Sequence, residues 1–292
     1  MSRRELAGDE LFERVSPEVG ELDERAVDEA LATSTDEVLS LMATLTGAVD
    51  EALRAKVRDL TCRVVIDMAR TGPAVRGRAG RLRSVPLDDA GGDLDLDRAV
   101  EAVAASPGGV PDRRDLRVWE WERPDTAVCL VIDRSGSMHG AALATAALAA
   151  AAVACRAPVE HAVLSFAATV DVIRDIVEPP AGDDPGAQVV DAVLGLRGHG
   201  TTDLAAALLA AGEQLSRARA GRRMTVVLSD CRATEPGDVL AAASSLDELV
   251  IIAPGDDAAE ARTLASAAGG RCVEIDGPAD VVRALDAALS RR

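Results

Sequence analysis

The sequence predicts an α/β protein with a doubly wound, mostly parallel sheet flanked by helices and preceded by a small helical domain. After Trp121, short apolar runs alternate with helical stretches, as in a parallel sheet whose strands are covered on both faces. Before about residue 70, apolar residues recur every three or four positions, the spacing of amphipathic helices. We therefore expect a helical domain at 1–70, an Arg- and Gly-rich linker at 71–123 and the α/β domain at 124–292.

The helical domain is predicted from two apolar series, which follow cap-type residues at Ser34–Glu37. The series are Leu31, Val38, Leu41, Met42 and Leu45, then Val49, Leu53, Val57, Leu60 and Val64.

The linker begins with a segment rich in Gly, Pro and Arg between Thr71 and Gly92. No acidic residue occurs in the overlapping stretch from Met68 to Leu87. Its arginines include Arg76, Arg78, Arg81 and Arg83. Two interpretations stay open: a solvated loop, or a docking segment for an acidic partner or for acidic faces of the same chain. A short helix at Leu94–Ala105 and an incoming strand or linker at Asp115–Glu122 complete this region.

The elements of the α/β domain follow from length and composition. Five short apolar runs predict strands: Ala127–Ile132, Ala162–Phe166, Met224–Leu228, Leu249–Ala253 and Cys272–Ile275. Thr169–Ile173 is expected to form a hairpin with the strand before it. Longer stretches predict helices: Met138–Cys155, Leu204–Ala218, Asp238–Ser245, Ala258–Ala268 and Val281–Leu289.

Charge and composition restrict the function. The 292 residues include 32 Lys and Arg against 49 Asp and Glu, a formal net charge of −17, which disfavours nucleic acid as a partner. Only 1% of residues are aromatic, which leaves few platforms for base stacking. The five cysteines stand singly without a CxxC pair, so no zinc ribbon or redox motif is indicated. The polar N-terminus and the absence of a long apolar stretch favour a cytoplasmic protein that does not enter the membrane.

Oxygen-bearing side chains cluster at the predicted strand ends, where open α/β sheets bind ligands. The first strand runs into Asp133-Arg134-Ser135-Gly136-Ser137, which places three such side chains at alternate positions. A carboxylate with two hydroxyls suits Mg²⁺ or Mn²⁺ better than Zn²⁺. By itself the motif is more typical of a structural role, with Ser137 as a helix cap and Asp133 as an aspartate in a loop.

Two further strand-end segments carry the same donor types. Gly198-His199-Gly200-Thr201-Thr202-Asp203 opens a helix, and the run Met224–Leu228 continues into Ser229-Asp230. Together with the first segment, they resemble the von Willebrand factor type A (VWA) domain and its metal-ion-dependent adhesion site, over about residues 124 to 292.

This resemblance implies a metal site formed by Asp133, Ser135, Ser137, Thr202 and Asp230 and occupied by Mg²⁺ or Mn²⁺. Thr202 fits the family register better than its alternative Thr201. Cys231 departs from the pattern, because relatives usually have Gly there, but no ligand is lost. The chain looks most like the bacterial intracellular branch, which includes proteins paired with MoxR-type AAA+ ATPases and the metal-binding end of magnesium-chelatase D subunits.

The resemblance implies a non-enzymatic, metal-dependent protein-binding module whose partner, an AAA+ ATPase or its client, supplies a Glu or Asp to the ion. Two alternatives remain. One is a metal-dependent phosphoester hydrolase, for which Asp203 is the nearest candidate base. The other is a structural subunit with a vestigial site. No dinucleotide or nucleotide-binding glycine motif is present.

Overall fold

The computed structural model describes residues 10–16, 22–47, 51–71, 81–87, 93–106, 108–122, 126–136, 138–157, 160–177 and 185–290. The chain divides into two compact units, the first comprising Met1–Ala74 with Thr126–Arg292 and the second Val75–Asp125. The first unit unites the N-terminal helices with the α/β sheet.

The first unit contains a six-stranded sheet in the order β6-β5-β4-β7-β8-β9. Five strands run parallel, and β6 pairs with β5 in the antiparallel direction, which confirms the predicted hairpin. The strands are β4 (Thr126–Asp133), β5 (His161–Phe166), β6 (Val170–Arg174), β7 (Arg222–Leu228), β8 (Leu249–Pro254) and β9 (Arg271–Ile275).

Helices cover both faces of the sheet, as predicted. Alternate residues of β4 belong to different cores: Leu130 packs in one cluster and Val131 in the other. This explains why β4 reads as a continuous apolar run rather than as an alternating one. The helices are α6 (Gly140–Arg156), α7 (Pro185–Leu194), α8 (Leu204–Ser216), α9 (Val239–Ser244), α10 (Ala259–Ala267) and α11 (Asp280–Ser290).

Strand order defines where a ligand site belongs. From β4 the chain first adds β5 on one side, and later adds β7 on the other. The carboxyl ends of β4 and β7 therefore flank a topological switch point, the position at which open α/β sheets bind ligands. Asp133 ends β4, and Asp230 follows the end of β7.

Four helices precede the sheet in the first unit: α1 (Glu10–Val15), α2 (Glu24–Leu31), α3 (Thr35–Leu45) and α4 (Glu51–Thr71). They share a small core that includes Val27, Met42 and Val57. Leu39 of α3 and Val65 of α4 also pack in the core that contains α6. The N-terminal helices therefore extend the hydrophobic core of the α/β sheet.

The second unit contains a three-stranded antiparallel sheet in the order β1-β3-β2. Its strands are β1 (Arg81–Pro86), β2 (Asp93–Leu94) and β3 (Arg117–Glu122), and its helix is α5 (Leu96–Ala105). The loop interpretation is wrong for Arg81–Pro86, because these residues pair along β3. Arg76 and Arg78 lie outside the described residues. Asp95 is buried, accepts a hydrogen bond from Ser84 Oγ at 2.6 Å and caps α5.

Most predicted elements of the α/β domain are confirmed with shifts of one or two residues at their ends, as for Met138–Cys155 against the observed Gly140–Arg156. Helix α7 was not predicted, because it begins at Pro185-Gly186, a pair typical of turns. Within the described part of the chain, no helix is long and apolar enough to cross a membrane.

Candidate metal centre

The first strand-end loop holds Asp133 in a fixed orientation. The backbone N–H and the hydroxyl of Ser135 both donate to Asp133 Oδ1, at 2.9 and 2.6 Å. This local side-chain-to-backbone pairing is an Asx-type turn, which places residues 133 and 135 on the same side of the loop. Ser137, the third side chain of the motif, lies outside the described residues.

The loop after β7 contacts the second oxygen of the same carboxylate. Ser229 Oγ donates to Asp133 Oδ2 at 2.6 Å and accepts the N–H of Cys231 at 2.8 Å. Asp230, the next residue, accepts the N–H of Arg232 at 3.0 Å. The two predicted carboxylate ligands therefore follow neighbouring strands and are linked through Ser229.

Cys231 occupies a backbone conformation that glycine usually adopts. Its φ of 64° lies in the left-handed region, which is costly for residues with a Cβ atom. Burial, together with the charge of Asp230, raises the pKa of the thiol to about 12. In the absence of a nearby ion, the thiol is therefore protonated near neutral pH.

The segment that carries Thr202 packs against the first loop. The N–H of His199 donates to the carbonyl of Arg134 at 3.0 Å. A Cβ atom on Gly198 would lie only 1.7 Å from the carbonyl oxygen of Gly136, so this approach requires glycine. Thr202 is buried and its N–H donates to Thr234 Oγ1 at 2.7 Å, whereas Thr201 is exposed.

Arg134 connects the first loop to the β5–β6 hairpin. The buried guanidinium of Arg134 forms an ion pair with Asp171 of β6. The backbone N–H of Arg134 donates to the carbonyl of Phe166 at 2.8 Å. Because its carbonyl also accepts from His199, Arg134 contacts both neighbouring segments.

Asp133, Ser135 and Asp230 line one cavity of about 340 Å³, and Thr202 does not line it. In the described part of the chain, no three His, Cys, Asp or Glu side chains come together as a metal-binding group. The donors at this point are instead two carboxylates and a hydroxyl. This hard oxygen set fits Mg²⁺ or Mn²⁺, which bind few carboxylates and retain several waters.

Two further polar residues position these loops and were not predicted from the sequence. Ser229 orients Asp133, and its signal was its position directly after a buried strand. Thr234 holds the backbone of Thr202 through its hydroxyl, and its own N–H donates to the carbonyl of Thr202 at 3.1 Å. No local pattern marks Thr234, because the contact joins segments that are 32 residues apart.

These features define a VWA-type domain: a mostly parallel six-stranded sheet flanked by helices, with oxygen donors at its topological switch point. A family model described as "VWA domain containing CoxE-like protein" matches residues 68–288. The chain therefore belongs to the CoxE-like VWA family. No curated protein matches it significantly.

Several solved structures are similar in fold. A von Willebrand factor type A protein from Catenulispora acidiphila is 19% identical, with a TM-score of 0.45 over 59% of this chain and 43% of that one. An aerotolerance-related membrane protein from Bacteroides fragilis is 15% identical, with a TM-score of 0.42 over 56% and 96% of the two chains. BatB from Bacteroides thetaiotaomicron is 16% identical, with a TM-score of 0.43 over the same shares. The chain spans less than half the length of the first of these proteins, and similarity at this level says nothing about activity or partners.

Proposed function

We propose that this protein is a non-enzymatic, protein-binding module that captures an acidic side chain of its partner through a divalent cation. Asp133, Ser135 and Asp230 would hold Mg²⁺ or Mn²⁺, with Thr202 and Ser137 completing the set. The bound ion would supply a Lewis-acidic centre to which a partner carboxylate can bind.

One observation carries the proposal. Asp133 has both carboxylate oxygens oriented by hydroxyl groups, from Ser135 and from Ser229, and it faces the same cavity as Asp230. Ser229 is not a proposed ligand, so its hydrogen bond is an outer contact that fixes Asp133 before the ion arrives, as is typical of metal sites. A site with only two carboxylates leaves a divalent ion attractive to a further anionic ligand.

We further propose that the partner is an AAA+ ATPase of the MoxR type or a client of such an ATPase. The support is the motif resemblance to the bacterial intracellular branch of the family. Because that partner uses ATP, we place the pair in the cytoplasm.

The hydrolase alternative gains no support from Asp203, the candidate base that was predicted from the sequence. Asp203 accepts the N–H of Ala206 at 3.0 Å and caps helix α8. Its backbone N–H also donates to the carbonyl of Ala167 at 2.8 Å. Asp203 therefore acts as a helix cap here, which is a structural role.

Titration calorimetry of Mg²⁺ and Mn²⁺ into the full chain tests the metal site. We expect binding to the unmodified chain and none to Asp133→Ala, while circular dichroism of the variant stays unchanged, because Asp133 lies at a strand end outside the aliphatic core. Asp256→Ala is the matched control, since Asp256 is an exposed acid of the β8–α10 turn that does not line the cavity. Equal affinity in Asp133→Ala and in the control would refute the assignment.

A further inference from the structure

The cavity that Asp133, Ser135 and Asp230 line also has apolar lining residues that the proposed ion does not use. Ile132, Leu228 and Ile252 line it from the ends of β4, β7 and β8. Met138, which precedes α6, and Ala142, which lies in α6, line it as well. A volume of about 340 Å³ lies near the lower end of the range for ligand sites, so one long side chain is a suitable occupant.

Two further carboxylates that line the cavity are not proposed as metal ligands. Asp257 and Asp276 follow β8 and β9, respectively, and both line the cavity. Asp257 is paired with Arg232. Asp276 is exposed, and no donor to its carboxylate is found in the part of the chain that the structure describes. No Lys, Arg or His is found among the described residues that line the cavity.

Helix α3 contacts the segment that follows Asp276. Asp36 Oδ1 accepts the N–H of Ala279 at 2.8 Å. A Cβ atom on Gly277 would lie 2.1 Å from Asp36 Oδ2, so the Asp36 side chain would have to shift if Gly277 were replaced. This hydrogen bond orders the segment before binding, which lowers the ordering cost of binding.

We propose that this cavity is a specificity pocket for a Lys or Arg side chain of the same partner whose carboxylate reaches the metal. This inference rests on the proposed function. Lys and Arg combine an aliphatic stem with a charged end, which matches a cavity lined by both apolar side chains and carboxylates. A purely aliphatic side chain would bury the Asp276 carboxylate without a partner, which is unfavourable. An acidic side chain would meet the Asp276 carboxylate, to which no described residue donates, in a chain with a net charge of −17.

The test uses n-butylguanidinium as a probe of the pocket, with the full chain in Mg²⁺ and ¹³C-labelled methionine methyl groups. We expect a saturable shift of the Met138 signal, and at least threefold weaker binding of the neutral analogue n-butylurea. Asp276→Asn should weaken the binding of n-butylguanidinium by about two- to fivefold, the range of a solvent-accessible ion pair. Asp256→Asn removes a neighbouring acid that does not line the cavity and should leave binding unchanged.

The outcomes separate this inference from the proposed function. Equal binding of n-butylurea would assign the pocket to an aliphatic side chain and overturn the proposal. An unshifted Met138 signal, or unchanged binding in Asp276→Asn, would overturn it as well. The probe has no carboxylate and is not expected to bind through the ion, so its binding is also measured after the ion has been removed with EDTA. If n-butylguanidinium binds while calorimetry finds no Mg²⁺ site, the metal-dependent function fails and the assignment of a pocket for a cationic side chain stands.

Discussion

Asp133 depends on Ser229 for the orientation of one carboxylate oxygen, because the Ser229 hydroxyl donates to Oδ2 at 2.6 Å. We expect Ser229→Ala to lower Mg²⁺ affinity by about 10- to 100-fold, the usual cost of losing an outer partner of a metal ligand. Calorimetry on the full chain measures the change. Unchanged affinity in Ser229→Ala would show that Asp133 needs no such support.

Thr225→Val is the control for this change. Thr225 lies on the same strand, and its buried hydroxyl has no hydrogen-bond partner among the described residues. Replacing it by an isosteric apolar side chain should leave both Mg²⁺ affinity and stability close to those of the unmodified chain.

At the scale of single residues, the tendency of open α/β sheets to bind ligands at strand ends predicted the segments of the candidate site. It did not predict the residues that hold these segments in place. Asp133, Ser135 and Asp230 each follow a recognisable apolar run, and they line one cavity. The contact of Gly198 with Gly136 and that of Thr234 with Thr202 join loops that are distant in sequence. Such contacts depend on how the loops pack, and hydrophobic periodicity carries no information about them.

At the scale of elements, strands buried on both faces were predictable because they are uninterrupted apolar runs. Strand β1 was missed because Arg81-Leu82-Arg83 gives only a short alternation between segments rich in Gly and Pro. The N-terminal helices were predictable from their periodicity. Their packing against α6 was not predictable, because the sequence of an amphipathic helix does not show which element packs against its apolar face.

Three helices meet at a buried ion pair. Arg156 at the end of α6 pairs with Asp286 of α11, and their side chains are 9% and 10% exposed. Arg156 also donates to the carbonyl of Ala69 in α4 at 3.1 Å. Asp286→Ala would leave a buried guanidinium without its counter-charge, so we expect a loss of about 3 kcal/mol in the free energy of unfolding.

Urea denaturation measures this loss, with Asp280→Ala as the comparison on the same helix. Asp280 pairs with Arg283, whose side chain is 76% exposed, and its Oδ2 accepts the N–H of Asp276 at 3.1 Å, so its removal should cost about 1 kcal/mol, well below the cost at Asp286. Similar costs for the two variants would contradict a structural role for the Arg156–Asp286 pair.

At the scale of the whole molecule, His161 links stability to pH. Burial, with the nearby charge of Arg174, lowers the pKa of this histidine from 6.5 to about 4 in the folded chain. The unfolded state therefore binds the extra proton between these values, and the free energy of unfolding rises with pH across this window. The contribution is complete above pH 6.5 and is lost as the pH falls to about 4, with an upper limit of about 3 kcal/mol.

His161→Gln should flatten the pH dependence of unfolding between pH 6.5 and 4, because glutamine does not titrate. His139→Gln, a change at an exposed histidine, should keep the slope of the unmodified chain. Chemical denaturation at several pH values provides the comparison. An unaltered slope in His161→Gln would assign the pH dependence to other groups.

We propose that a divalent ion at Asp133, Ser135 and Asp230 takes a carboxylate from a partner. Water-proton relaxation of the Mn²⁺-loaded chain tests this binding, because an added ligand displaces water from the ion. We predict that N-acetylglutamate methylamide lowers the relaxation enhancement, that the neutral N-acetylglutamine methylamide does not, and that Asp230→Ala abolishes the enhancement itself. Equal effects of the two amides, or an enhancement that survives in Asp230→Ala, would contradict the account.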